Sequence, residues 1–157
     1  MSLDVTAGPK AATYIHATAL LIGERGIVIR GPSGSGKTSL ALLLIAEAGR
    51  RGVFARLVGD DRVSIGAGDG VTIARRHPLI AGFIERRTFG ITALPFEAAC
   101  VVKLVVDLCP QGSKLPRLPD GDERVALVSD LAIPRLRLAS PPSELSCHLV
   151  FEKMSAV

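Results

Sequence analysis

The chain has no tryptophan, one tyrosine and five phenylalanines, so aromatic residues make up only 4% of it. With 48% hydrophobic residues over 157 positions, its core must be aliphatic, as the core of layered α/β folds usually is. The shortage also leaves no aromatic platforms among the scattered arginines on which bases could stack, which argues against a nucleic-acid partner. Cysteine is scarce. Cys100, Cys109 and Cys147 are an odd number at unrelated spacings with no C-x-x-C pair, so neither a disulfide framework nor a cysteine zinc site is expected. Reduced thiols in a cytoplasmic protein are the default. Long apolar runs are missing too: the longest without a charge, Leu40–Ala46, falls far short of the roughly 20 residues a bilayer needs. Met1–Lys10 lacks the charged-then-apolar order of a secretion signal, so no membrane association is expected. No internal repeat interrupts the chain, and its length suits one domain over residues 1–157 with a loose start at 1–10.

What the chain does have is concentrated in one segment. Gly31-Pro32-Ser33-Gly34-Ser35-Gly36-Lys37-Thr38 matches G-x-x-x-x-G-K-[ST] in full. The apolar run Gly26–Arg30 reads as a strand entering it, and Ser39–Ala48 as a helix leaving it, ended by Gly49. Strand, glycine-rich loop and helix together form a phosphate-binding loop. The glycines let the backbone curl so that successive N–H groups face phosphate oxygens, and the helix N-terminus adds partial positive charge. Lys37 would reach the β- and γ-phosphates, the Thr38 hydroxyl would ligate Mg²⁺, and Gly31 to Ser39 would line the nucleotide site. A net charge of +4, from 19 basic and 15 acidic residues, suits a phosphate ligand and an acidic protein partner.

Around that segment the pattern alternates between strands and turns. Ala11–Ile22 reads as a strand that forms a hairpin with Gly26–Arg30 through Gly23–Gly26. Val53–Val58 reads as a strand, Arg62–Ile65 and Val71–Arg75 as a hairpin, and Val101–Leu108 as a buried strand. Residues 109–123 carry three prolines and two glycines and read as a long loop. Ile133–Leu138 follows as a half-exposed strand, then a helix from Glu144 to Met154 capped near Ser143. The expected fold is α/β, a phosphate-loop nucleotide-binding domain with a mixed, partly antiparallel central sheet and few helices, since strands joined by tight turns must be antiparallel.

The acid and base candidates are few. Asp60-Asp61 follows an apolar strand, where a second Mg²⁺-binding carboxylate belongs in such proteins. Two adjacent acids there could divide the work, one helping to hold the metal and the other accepting a proton from an attacking hydroxyl. A helix cap or Asx-turn is the structural alternative. His16 lies in the strand beside the loop, where a lone histidine is more often a hydrogen-bonded core residue. Glu85, beside two arginines, reads as a surface charge. His77 and His148 read as structural.

Taken together, these positions resemble the catalytic domain of the HPr kinase/phosphorylase family. The resemblance lies in a His-bearing strand before the loop, then Asp60-Asp61-Arg62-Val63, then Ile84-Glu85-Arg86-Arg87-Thr88-Phe89-Gly90-Ile91. It covers about residues 13 to 108 and is closest to the short, single-domain forms. The resemblance implies that Asp61 accepts the proton from a protein serine, and returns it in the reverse reaction, where inorganic phosphate attacks phosphoserine and pyrophosphate leaves. Lys37 and the loop amides would hold the triphosphate of ATP, Thr38 and Glu85 would hold Mg²⁺ with Asp60 close by, and His16 would assist at the phosphate. The implied substrate is HPr or a related phosphocarrier, and the implied assembly is a homo-oligomer.

Three departures stand out. Residue 88 is Thr where the motif usually has Gly, which implies another backbone path. The connection around Gly49–Gly52 is longer than usual. The family's C-terminal P-G-R-N segment has no match, leaving Arg117 or Arg124 as substitutes. Two other functions remain open at this point: a small-molecule kinase, although no Arg-rich helical lid is visible, and a nucleotide-binding regulatory module without transfer activity.

Overall fold

The first apolar stretch is not one strand. In the computed structural model, which describes residues 13–79, 82–86 and 88–157, it breaks at His16 into β1 (Thr13–Ile15) and β2 (Ala17–Ile22). The expected loose start at residues 1–10 lies outside the described residues. The strands that follow are β3 (Arg25–Arg30), β4 (Ala55–Gly59), β5 (Val63–Gly68), β6 (Val71–Arg76), β7 (Phe83–Arg86), β8 (Gly90–Ala93), β9 (Ala99–Cys109), β10 (Val125–Val128) and β11 (Leu131–Ala139). Two helices, α1 (Lys37–Arg50) and α2 (Glu144–Ser155), and a 3₁₀ turn at Gly121–Arg124 complete the described elements.

One sheet runs β1-β5-β6-β9-β3-β2-β4, with β11 added on β9 and β10 on β11, while β7 and β8 pair only with each other. The central strand, β9, serves three neighbours along its length. Ala99–Val101 pair with antiparallel β6, Val102–Asp107 with parallel β3, and Val105–Cys109 with parallel β11. Every other strand pairing is antiparallel. This is the mixed α/β sheet with few helices expected from the sequence. Such a strand, paired on both edges and covered on both faces, must be apolar almost throughout, as Leu104–Cys109 is except for Asp107.

Alternation along the strands divides the core in two. Ile27 and Ile29 of β3, Leu104, Val106 and Leu108 of β9 and Leu20 of β2 face the helices. Val28 and Val105 point the other way, into a second cluster with Ala17, Ala19, Val58 and Val63 that Ala126, Val128 and Ile133 complete. Helix α1 buries Leu40, Ala41, Leu44 and Ala48, one apolar stripe at three- and four-residue spacing.

The helix does not end at Gly49 as expected. It runs to Arg50, and Gly52, at φ 69, supplies the left-handed residue that terminates it. The Gly52 N–H donates to Gly49 O and the Val53 N–H to Ala48 O, the paired bonds of a Schellman end. Strand β4 accordingly starts at Ala55. The β5–β6 hairpin turns on two residues only, Asp69 (φ 53) and Gly70 (φ 80), so Gly66–Gly68 stay in the strand. Helix α2 is capped as expected, with the Ser143 side chain accepting from the Ser146 N–H. The expected loop at 109–123 is shorter at both ends: Cys109 closes β9 and the 3₁₀ turn takes up Gly121 onward. Among the described residues no helix is long and apolar enough to cross a membrane.

Candidate active site

The break at His16 builds the site. Before it, β1 pairs with β5 in the register Ile15↔Val63; after it, β2 pairs with β4, with Ala19 opposite Gly59. Both ladders are antiparallel, and Ile15↔Val63 and Ala19↔Gly59 share one register before the β2–β4 ladder shifts by a residue at Leu20. The chain therefore passes between the two parts of the sheet at two facing points, His16–Thr18 on one side and Asp60–Arg62 on the other. The carboxylate of Asp60 accepts the Thr18 hydroxyl at 2.7 Å across that corner. Asp61, at φ 65, takes the left-handed conformation that aspartate tolerates better than most residues, and its carboxylate lies 2.9 Å from His16 Nδ1. The His16 and Asp61 side chains are 50% and 67% exposed, so this pair opens outward.

The glycine-rich loop faces the same corner. Strand β3 ends at Arg30, the loop turns back, and α1 begins at Lys37, whose side chain is buried although it carries charge. Lys37 Nζ donates to the carbonyls of Gly31 (2.9 Å) and Pro32 (3.2 Å), so the loop's own entrance holds the ammonium. Burial pulls the Lys37 pKa below its ordinary value, and the nearby carboxylates of Asp61 and Asp60 oppose that shift. The Thr38 hydroxyl donates to Asp60 at 2.9 Å, with the second carboxylate oxygen at 3.2 Å. The neighbouring acids thus point to different partners: Asp60 to two threonine hydroxyls, Asp61 to the histidine.

The loop is braced from behind by a segment distant in sequence. The Ser140 hydroxyl donates to Ser35 O at 3.0 Å, and a Cβ on Gly36 would stand 2.5 Å from Pro142 Cδ. Gly36 also has φ 100, so both its backbone and its surroundings demand glycine. A Cβ on Gly31 would lie 2.6 Å from Ser35 Oγ and 2.9 Å from Leu108 O. The Ser35 hydroxyl is buried with no hydrogen-bond partner among the described residues.

These groups enclose a cleft of about 310 Å³ lined by His16, Asp60, Asp61 and the loop residues Ser33, Gly34 and Gly36–Ser39. Of the residues singled out in the sequence, His16, Lys37, Thr38, Asp60 and Asp61 meet there. Glu85 does not: it is exposed on β7, and it does not line this cleft. Arg117 and Arg124 do not line it either; Arg124 Nε donates to Pro119 O within its own segment. Thr88 has a left-handed backbone, φ 64, a conformation that glycine adopts freely and a β-branched residue rarely. Two contributors were missed. Thr18 gave no separate signal, because the apolar stretch read as one strand hides the break at His16 that turns its hydroxyl to Asp60. Ser140 carries no local signal, since it meets a residue 105 positions away.

The donor set is hard and oxygen-rich, a threonine hydroxyl beside a carboxylate, which fits Mg²⁺. That ion is usually held by one or two carboxylates, waters and substrate phosphates rather than by an all-protein cage. No group of three or more His, Cys, Asp or Glu that could hold a metal occurs among the described residues. All three cysteines are free and buried, and burial pushes the Cys100 thiol up to about 12, so it stays protonated.

Comparison with known proteins bears on the family and the fold. The model of the HPr Serine kinase C-terminal domain family matches residues 10–138. The fold is similar to that in the structure of the Hpr(Ser) kinase/phosphatase from Coxiella burnetii, with a TM-score of 0.71 over 92% of this chain and 94% of that one. The two are 24% identical, so this likeness bears on the fold alone. No curated protein matches the sequence.

Proposed function

The chain belongs to the HPr serine kinase C-terminal domain family, and on that premise we propose that it is an ATP- and Mg²⁺-dependent serine kinase acting on HPr or a related phosphocarrier. The observation that carries this reading is the single cleft shared by the His16–Asp61 pair, Lys37 and the Thr38–Asp60 pair.

Phosphoryl transfer asks the protein mainly for positioning and charge stabilisation. The loop N–H groups and the α1 N-terminus receive the triphosphate, and Lys37 leaves the Gly31 and Pro32 carbonyls to neutralise it. Thr38 and Asp60 hold Mg²⁺, which when bound offsets negative charge on the phosphates. Glu85 joins them in this proposal on the family resemblance alone. Asp61 is the base: exposed to the cleft, it takes the proton from the incoming serine hydroxyl, a poor nucleophile at neutral pH. His16, 2.9 Å away, orients that carboxylate and faces the transferred phosphate. The same groups would run the reverse reaction, with phosphate attacking the phosphorus of phosphoserine, the seryl oxygen leaving with a proton from Asp61, and the pyrophosphate so formed being released. A single domain, a cytoplasmic location and a homo-oligomeric assembly complete the proposal; exposed Phe83, Phe89 and Ile91 support the last.

The test offers γ-labelled ATP and Mg²⁺ to HPr-type carriers beside a panel of nucleosides and sugars. Label on a carrier serine, lost in Asp61→Asn, is the expected result. Label on a small molecule alone, or ATP binding with no transfer, would refute it.

A further inference from the structure

The glycine-rich loop has a second side. Behind its tip, Pro32–Ser35 meet Pro110-Gln111 and Ser140-Pro141 around another cleft, of about 340 Å³. Ser33 and Gly34 line both clefts, so only the loop tip separates them. We infer that this second cleft receives the nucleoside half of the nucleotide whose triphosphate lies in the first, with Gln111 as its polar contact. The inference rests on the phosphotransfer reading above and adds to it a place for base and ribose.

Three independent features lead there. The first is topology. Strands β3, β9 and β11 are parallel neighbours, and the cleft is made of the residues just past the carboxyl end of each: Gly31-Pro32 onward, Pro110-Gln111 and Ser140-Pro141. Open α/β sheets bind ligands in the crevice outside those ends. The second is the direction of transfer. Attacking and leaving oxygens stand roughly in line across the γ-phosphorus. Asp61 and His16 fix the acceptor's side at the first cleft, so the departing diphosphate and its nucleoside extend away from them. The third is chemistry. Pro32, Pro110 and Pro141 offer rigid apolar surface to a flat base, Gln111 can both donate and accept at its edge, and Ser35 brings a buried hydroxyl that has no partner among the described residues. A cleft of this size lies within the usual range for small-molecule sites. The Ser140–Pro142 segment falls outside the residues matched by the family model, so this wall is read from the present chain.

Calorimetric binding of MgATP and of Mg-tripolyphosphate, to the parent chain and to Gln111→Ala, tests the placement. ATP should bind the parent more tightly than tripolyphosphate. The substitution should weaken ATP by about three- to tenfold, the loss of one hydrogen bond, and leave tripolyphosphate unchanged. Gln111 is exposed in a turn closed by Ser113 N–H to Pro110 O, so the variant should fold. Independently, 8-azido-ATP should label peptides containing Pro110-Gln111 or Ser140-Pro141. Equal weakening of both ligands, weakening of neither, or label elsewhere overturns the placement, and while labelled phosphate still reaches a carrier the kinase reading survives. Binding of neither ligand by the parent chain overturns both.

Discussion

The loop corner and the β7–β8 hairpin are built in opposite ways. At the corner, Asp60 is held by Thr18 and Thr38, Asp61 by His16, Lys37 by two carbonyls, and the loop itself by Ser140 and Pro142. Four separate stretches of chain converge, and each fixes a side chain that another presents. Among the described residues, the hairpin strands pair only with each other. Ile84 is buried, but Phe83, Phe89 and Ile91 are 53%, 74% and 75% exposed, Glu85 is exposed, and Thr88 sits at φ 64. Catalytic geometry needs residues locked by their surroundings, and the corner supplies that lock within this chain. The hairpin offers instead an apolar surface for something to cover.

Substitutions at the corner should therefore have the largest effects. Asp61→Asn keeps shape and removes the proposed base, and is expected to lower kcat about 10²- to 10⁴-fold with little change in nucleotide affinity. Lys37→Ala should cost about 10²- to 10³-fold in kcat, with weakened ATP binding as well. Steady-state kinetics on a carrier serine check both, and a parent-like Asp61→Asn would remove that residue from the mechanism.

A magnesium titration ranks the two regions directly. Asp60→Asn should raise the half-saturating Mg²⁺ concentration about 10- to 100-fold. Glu85→Gln should raise it less, because among the described residues no hydrogen bond or ion pair holds its exposed carboxylate. A larger shift at Glu85 than at Asp60 would reverse the comparison and mean that the hairpin reaches the metal in the working assembly.

Beside the loop, Asp107 of β9 is gripped by Arg30 at 2.7 and 2.8 Å and by Arg135. Burial alone would raise the Asp107 pKa, but the two guanidinium groups outweigh it and hold the carboxyl below its ordinary 3.8. A value depressed on folding contributes stability that is complete above 3.8 and disappears as pH falls through the lower folded-state value. Asp107→Asn should cost about 1–3 kcal/mol at neutral pH. Its urea midpoint should converge on that of the parent in strong acid, and a gap that stays constant with pH would show that the ion pair is not the cause.

The smallest change belongs to the hairpin. Thr88→Gly relieves a β-branched residue of a left-handed backbone and should raise stability by about 1 kcal/mol, read as a higher midpoint of thermal unfolding. A lower midpoint would mean that the exposed threonine side chain makes contacts worth more than the strain.

How much of this was legible depended on distance along the chain. The strand, loop and start of α1 are contiguous, and each residue type there answers to local backbone needs, so the pattern could be read directly. The Ser143 cap and the fate of the cysteines were equally local. The end of α1 was misplaced because two glycines, Gly49 and Gly52, could each have supplied it, and only the bonds from Gly52 and Val53 distinguish them. Strands β7, β8 and β10 have four residues each, too few to show a period.

By itself, then, the sequence determined the aliphatic core, the glycine-rich loop with its lysine and threonine, and the presence of an acid pair behind a strand. Tertiary structure decided which acid meets which partner. The register common to Ile15↔Val63 and Ala19↔Gly59 sets Thr18 opposite Asp60, the left-handed Asp61 meets His16 across the break, and the parallel trio β3, β9 and β11 carries Ser140 to the back of the loop. The physical reason is that a turn or helix cap is settled by neighbours a few residues away, whereas a hydrogen bond across the sheet exists only once the strands between have chosen their order.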